Sequence, residues 1–190
     1  MMPVKVIGLT GTIAAGKDLV KQILMQNLNC YQVTLSGAIF GQLEKKKGSF
    51  TRKTMQEMGN ELRQKYGGHV LAKVSTEFMS RDRPYLIVDG IRNPAEAEWL
   101  KQNYRGSFVL IGVDAPQSAR FERMTKRGKP TDPKTFEEFT AQDNSDQGAN
   151  EPPYGQQVRR CIQMADFVIE TDGDVAKVAE KVAEILPKIQ

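Results

Sequence analysis

Two cysteines and one histidine are few for 190 residues. Cys30 and Cys161 stand far apart and in no metal-like spacing, so neither a disulfide framework nor a zinc cluster has its residues. His69 alone gives a histidine-centred triad little to stand on; after Gly67-Gly68 it reads as a helix-start residue. Long apolar runs are missing as well. None reaches the roughly 20 residues of a membrane span, and the N-terminal residues lack the charged-then-apolar layout of a secretory signal. The expectation is a cytoplasmic protein with no membrane partner. Internal repeats and low-complexity tracts are absent too.

What is present describes an ordinary globular chain, 39% hydrophobic and 26% charged. That suits one compact domain over residues 1–190 with a sizeable core and a small insertion. The net charge of +4 is mildly basic, with Lys and Arg dispersed. Phosphate-bearing small molecules account for it as well as nucleic acid does, and nucleic acid is not the expected partner. Monomer and homodimer both stay open.

The chain is organised around Val4 to Asp18. An apolar, β-branched run, Val4-Lys5-Val6-Ile7-Gly8-Leu9, reads as a buried strand and ends in Gly11-x-x-x-x-Gly16-Lys17. Leu19, Val20, Ile23 and Leu24 then follow at helical spacing. Strand, glycine-rich turn and helix in that order form the context in which such a match binds a polyphosphate. Backbone N–H groups from Gly11, Thr12, Ala14, Ala15 and Gly16 can turn inward, and the opening helix turn through Lys17, Asp18 and Leu19 adds further donors. Lys17 is placed to bridge the outer two phosphates of a nucleotide. Asp18 stands where Ser or Thr usually offers a hydroxyl to Mg²⁺. Its carboxylate can hold the metal directly or through water, or simply favour the helix start. As a metal ligand it predicts strict Mg²⁺ dependence of nucleotide binding, because its charge would otherwise repel the phosphates.

Further along, strands are expected at Cys30–Leu35, Pro84–Asp89, Phe108–Asp114 and Ala165–Glu170, with helices between them. Five β/α alternations predict a three-layer α/β sandwich: a five-stranded parallel sheet with helices on both faces. A short helix is expected over 38–47 and another from His69 to Met79. A last helix carries Val175, Val178, Val182, Ile185 and Leu186 on one side.

Three stretches carry chemistry. Over Thr51–Tyr66, Arg52, Gln56, Gly59 and Arg63 fall within about 60° on one helical face, a surface suited to an anionic, hydrogen-bonding ligand or, more plainly, to solvent. Asp89 ends a buried strand, where open α/β sheets bind ligands, and is the second candidate metal ligand beside Asp18. Arg92 follows it, and Asn93-Pro94-Ala95-Glu96 opens a capped helix. No glutamate follows Asp89, so the water-activating pair of ATPase motors is missing; no Asn-Lys-x-Asp marks a guanine switch. Arg120, Arg123 and Arg127 lie on overlapping faces of one helix. A capping box at Thr135–Glu138 starts the next, and residues 143–157 read as turn-rich and mobile. Residues 120–155 thus form a small helical lid.

On Gly11–Lys17, Thr51-Arg52 through Gly59 to Arg63, Val88-Asp89-Gly90-Ile91-Arg92 with Glu96, Arg120-Phe121-Glu122-Arg123, Phe136-Glu137-Glu138-Phe139 and Ala165–Ile169, nearly the whole chain resembles the phosphate-loop (P-loop) nucleoside monophosphate kinase-like group of NTPases. The nearest members are dephospho-CoA kinase, its archaeal relatives and deoxynucleoside monophosphate kinases. The resemblance implies an ATP-dependent phosphotransferase. ATP and Mg²⁺ would sit on the loop, with Thr171–Asp174 near adenine. A (deoxy)nucleoside monophosphate or dephospho-CoA would be held by Arg52, Gln56, Gly59, Arg63 and Arg92. Lys17, Asp89, Arg120, Arg123 and Arg127 would serve catalysis. Ser36-Gly37 stands where dephospho-CoA kinases carry an aspartate, which leaves Asp89 to orient the acceptor oxygen. Leu19 stands where relatives often have Thr. The departures at Asp18 and Gly37 also suit a nucleotide-binding regulatory protein without transfer activity.

Overall fold

The computed structural model describes residues 4–45, 51–77, 82–129, 132–171 and 173–189, without the side chains of Lys45 and Arg52. Lys46-Lys47, Phe78-Met79, Pro130-Thr131 and Asp172 therefore lie outside the described residues.

At the centre runs β1 (Lys5–Gly11), flanked by β3 (Tyr85–Asp89) and β4 (Phe108–Asp114). β2 (Cys30–Thr34) and β5 (Phe167–Glu170) complete the order β2-β3-β1-β4-β5, with every pairing parallel. Strand alternation sorts the apolar residues between two faces. Ile7, Leu9, Ile87, Ile111 and Val113 point to one face. There they meet Val20 and Leu24 of α1 (Lys17–Asn27) and Val178, Val182 and Ile185 of α9 (Val175–Ile189). Val6, Leu86, Val88 and Leu110 point to the other. That face is covered by α2 (Leu35–Lys45), α3 (Arg52–Tyr66), α4 (Val70–Glu77), α5 (Pro94–Asn103) and α8 (Val158–Gln163). Burying each such aliphatic side chain contributes about 1.5–3 kcal/mol, so both layers are needed. The expected three-layer α/β sandwich is the observed one. Val175, expected on the inner side of α9, is 59% exposed; the stripe continues instead to Ile189.

The registers place the ligand-bearing ends. Leu9 pairs with Asp89, so β3 ends beside β1 just as the glycine-rich turn begins. α6 (Gln117–Arg127) and α7 (Phe136–Gln147) pack through Phe121, Phe136 and Phe139. The expected capping box of Thr135 with Glu138 forms, and the expected Asn93 cap closes as a box with Glu96. Three local expectations are corrected. α2 begins at Leu35, so Ser36-Gly37 lies in a helix rather than ending a strand. Asp143–Gln147 belongs to α7, not to a turn-rich segment. The residues after it are pinned, because the Asn93 amide donates to the carbonyls of Pro153 (2.9 Å) and Gly155 (2.8 Å) and the Gln157 N–H donates to that of Arg92.

Candidate phosphate cleft and acceptor pocket

The turn after β1 holds two residues at positive φ, Ala14 at 59° and Gly16 at 91°. Glycine takes that conformation freely; alanine pays of order 1–2 kcal/mol for it. The surroundings over-determine the geometry. Thr12 donates its hydroxyl to Asp114 (2.7 Å). The Ile13 carbonyl accepts from Arg120, and the Ala15 carbonyl accepts from Thr171 (2.6 Å) and Arg123. The N–H groups of Thr12 and Ala15, expected to face phosphate, are taken by the carbonyls of Val113 (3.3 Å) and Thr12 (3.1 Å). With the loop's carbonyls held by the protein body, the N–H groups of Ile13, Ala14 and Gly16 are left for an anion. Gly16 is the N-cap of α1 and no side chain caps it, so the helix start offers its own donors.

Gly11 through Asp18 line a cleft of about 310 Å³, with Arg92, Arg123 and Arg127 on its walls. Arg123 ties the turn after β5 to the loop, donating to both the Thr171 hydroxyl (2.7 Å) and carbonyl (3.0 Å). Arg127 pairs with Asp132. Arg120 departs from expectation: it does not line the cleft. It lies two helical turns before Arg127, and the buried Asp143 carboxylate on α7 faces it, accepting from Nη2 at 2.8 Å. Its role toward the loop is indirect, through the Ile13 carbonyl.

Lys17, which lines the cleft, and Lys21 converge on Asp89; neither Lys21 nor Asp89 lines the cleft itself. Lys17 donates to Oδ1 and Lys21 donates to Oδ2 at 2.8 Å; Lys21 also donates to Asp18 at 3.0 Å. Burial opposes the Lys21 charge, yet its bonds to Asp89 and Asp18 outweigh burial and hold its pKa above the ordinary lysine value. Burial raises the Asp18 carboxyl, but Lys21 and Lys17 outweigh that and hold it low. Asp18 lines the cleft, and Lys21 sits against its carboxylate. Lys21 was legible only as the residue four after Lys17 and three after Asp18, on one helix face.

Asp18 and Asp89 fit a divalent cation in donor chemistry: two carboxylates whose oxygens already reach one shared cation, the Lys21 ammonium. Among the described residues no group of three His, Cys, Asp or Glu forms a metal cage. A metal here would therefore draw its remaining oxygens from phosphate and water, and would neutralise phosphate charge.

A second pocket of about 240 Å³ opens beside the cleft. Gln56, Gly59 and Arg63 of α3 line it together with Arg92 and an apolar side from α2 that includes Ile39 and Phe40. Three of the four residues expected on one α3 face are therefore together; the Arg52 side chain lies outside the described residues. Gly59 leaves room there, since a Cβ would come within 3.1 Å of Ile39 and 3.3 Å of Arg63. Arg63 is 3% exposed and its Nε donates to the buried Glu96 carboxylate at 2.8 Å. Glu96 also accepts from the N–H groups of Arg92 and Asn93. One carboxylate thus fixes both arginine-bearing segments. The Gln56 amide is engaged across to α7, donating to Ser145 (3.0 Å). Asp146 of α7 lines the phosphate cleft and is 4% exposed. The sequence reading missed it because residues 143–157 looked like a turn-rich segment.

Among the described residues no helix is long and apolar enough to cross a membrane.

Comparison with known proteins bears on the fold and the family. The AAA_18 family, described as an AAA domain, matches residues 7–145. Relatives include a UPF0200/UPF0201 protein of Archaeoglobus fulgidus, 27% identical over all of this chain and 57% of its own length; the chain thus spans little more than half of that relative. A UPF0200 protein of Staphylothermus marinus is 27% identical over 99% of this chain and 94% of its own. Among solved structures, TT1252 from Thermus thermophilus superposes with a TM-score of 0.64 at 17% identity, covering both chains fully. Shikimate kinase from Bacteroides thetaiotaomicron gives 0.55 at 16% identity over 96% of this chain and 98% of its own. At such identities the likeness establishes the fold, a P-loop kinase-like sandwich. The chain belongs to the AAA_18 family of AAA domains.

Proposed function

We propose that the protein is a Mg²⁺-ATP-dependent phosphotransferase acting on a nucleotide-like small molecule, such as a (deoxy)nucleoside monophosphate or dephospho-CoA. One observation carries this reading: Arg92 lines both the phosphate cleft and the second pocket. A cation shared by two adjoining pockets is suited to a phosphoryl group passing between a donor in one and an acceptor in the other. In this reading Lys17 leaves Asp89 for the β- and γ-phosphates, while Asp18 and Asp89 hold Mg²⁺, whose charge offsets that of the phosphates. Arg123 and Arg127 neutralise the transferring group, and Asp89 orients the acceptor oxygen. Arg63 and Arg92 attract the acceptor's anionic group, and the apolar wall by Ile39 and Phe40 suits a flat organic body. α6 and α7 close over the phosphates and exclude water. Dependence on ATP fits a cytoplasmic site of action.

The test is an acceptor screen with γ-labelled ATP over ribo- and deoxynucleoside monophosphates, dephospho-CoA and small hydroxy acids. The last are included because solved neighbours of this fold are named shikimate kinase and gluconokinase. Label transfer to one acceptor class is expected. ATP binding with transfer to none would favour the regulatory reading. In the active pairing, Lys17→Ala should lower kcat at least about a hundredfold, the usual consequence of losing one charge-stabilising group, with the fold intact by circular dichroism. Near-normal turnover in that variant would refute the assignment.

A further inference from the structure

Asp89 has an ammonium on each oxygen, and the two come from the same helix one turn apart. Lys17 takes Oδ1; Lys21 takes Oδ2 at 2.8 Å and bridges to Asp18 Oδ1 at 3.0 Å. The side chains of Lys21 and Asp89 are 16% and 7% exposed and that of Asp18 is 75% exposed, so the cluster is enclosed at Asp89 and open to solvent at Asp18. Two ammonium groups and two carboxylates leave it neutral. That balance changes once Lys17 is drawn to a polyphosphate. Two carboxylates then remain beside the phosphate charges, with Lys21 hydrogen-bonded to both.

We propose that Lys21 is a built-in counter-cation that bridges Asp18 and Asp89 and neutralises them whenever no divalent metal is there. It rests on the phosphotransferase reading, because it assumes that nucleotide phosphates occupy the cleft. Lys21 is a positioning residue in this role: its partners are the two carboxylates, not the phosphates. A metal held by Asp18 and Asp89 would supply the same neutralisation that the chain provides through Lys21. Nucleotide therefore enters the loop without Mg²⁺ at little electrostatic cost from Asp18. Strict Mg²⁺ dependence, which an unpaired Asp18 would impose, becomes the property of a chain lacking Lys21.

The experiment is equilibrium binding of ATP by calorimetry, in saturating Mg²⁺ and in excess chelator, to four proteins. These are the wild type, Lys21→Met, Lys21→Arg, and Lys21→Met combined with Asp18→Asn. Lys21→Met should weaken metal-free binding roughly tenfold or more, as loss of a charged hydrogen-bond partner does, but stay within about threefold of wild type in Mg²⁺. Lys21→Arg should keep wild-type behaviour in both media, and the double variant should recover most of the metal-free loss. Equal losses with and without metal in Lys21→Met, or no loss in chelator, would overturn the proposal while leaving the kinase reading intact. Should Lys21→Met fail to fold by circular dichroism, the double variant decides: metal-free binding near wild type supports the proposal, and a tenfold loss overturns it. Absence of ATP binding by the wild type in both media overturns both readings.

Discussion

Arg120 and Asp143 form a buried ion pair that joins α6 to α7, with Arg120 3% exposed and Asp143 fully buried. The same guanidinium donates to the carbonyls of Ala115 (2.9 Å) and Ile13 (3.3 Å). Two glutamine amides, from Gln117 and Gln147, complete the Asp143 carboxylate. One arginine therefore links the helix pair over the cleft to the loop that forms the cleft floor.

Removing one partner leaves the other charged and buried. Asp143→Ala is expected to cost about 3–5 kcal/mol, a fall in Tm of roughly 10 °C for a chain of this size. Urea denaturation measures the first and thermal melting the second. Arg120→Met combined with Asp143→Leu should recover much of that loss, since apolar replacement of both partners removes the unpaired charge.

The Arg127–Asp132 pair responds to acid. Its hydrogen bond to Arg127 holds the Asp132 carboxyl below the ordinary value of 3.8, against the opposing effect of burial. The folded-state pKa is the lower one, so the pair's contribution is complete above about 3.8 and fades as pH falls through that lower value. Because Arg127 is partly exposed, Asp132→Asn should change global stability by no more than about 1 kcal/mol. It should speed hydrogen exchange over residues 132–139 at pH 7, and the difference from wild type should shrink as pH is lowered below 3.8, once intrinsic rates are divided out.

Gly59 tests the acceptor pocket. A valine there would press on Ile39 and Arg63, whose atoms lie 3.1 and 3.3 Å from the first added carbon. Gly59→Val should raise the KM for the acceptor about tenfold or more and leave the Kd for ATP within twofold, because the cleft does not include residue 59. Steady-state kinetics with calorimetry separates the two.

Thr171 tests the clamp on the loop. Its hydroxyl donates to the Ala15 carbonyl and accepts from Arg123, both at 2.7 Å or less. Thr171→Val keeps the volume and removes both bonds, at a cost of about 1–3 kcal/mol. A weaker affinity for ATP and a lower Tm are expected together. An unchanged Kd would show that the clamp does not shape the loop.

Much of this protein is written locally. Alternating apolar residues in β1, β3 and β4 name both faces of the sheet, since a strand's side chains alternate whatever its neighbours are. The Asn93/Glu96 and Thr135/Glu138 caps depend on bonds within a few residues. The α3 face carrying Gln56, Gly59 and Arg63 follows from helical spacing, and those three do line one pocket.

Tertiary structure decided what those charges meet. Arg120, Arg123 and Arg127 look alike in sequence, yet Arg123 and Arg127 line the cleft while Arg120 is spent on Asp143, 23 residues away. Arg63 looks like an open ligand arginine and is held by Glu96 across two helices. The stretch after α7 is rich in turn residues, but its backbone is fixed by the amide of Asn93. Asp18, the least typical residue of the loop, reads as a bare charge until Lys21 and the end of β3 are brought beside it. Local preference selects a residue's backbone and face; the partner of a long charged side chain is chosen by whichever opposite charge folding buries within its reach.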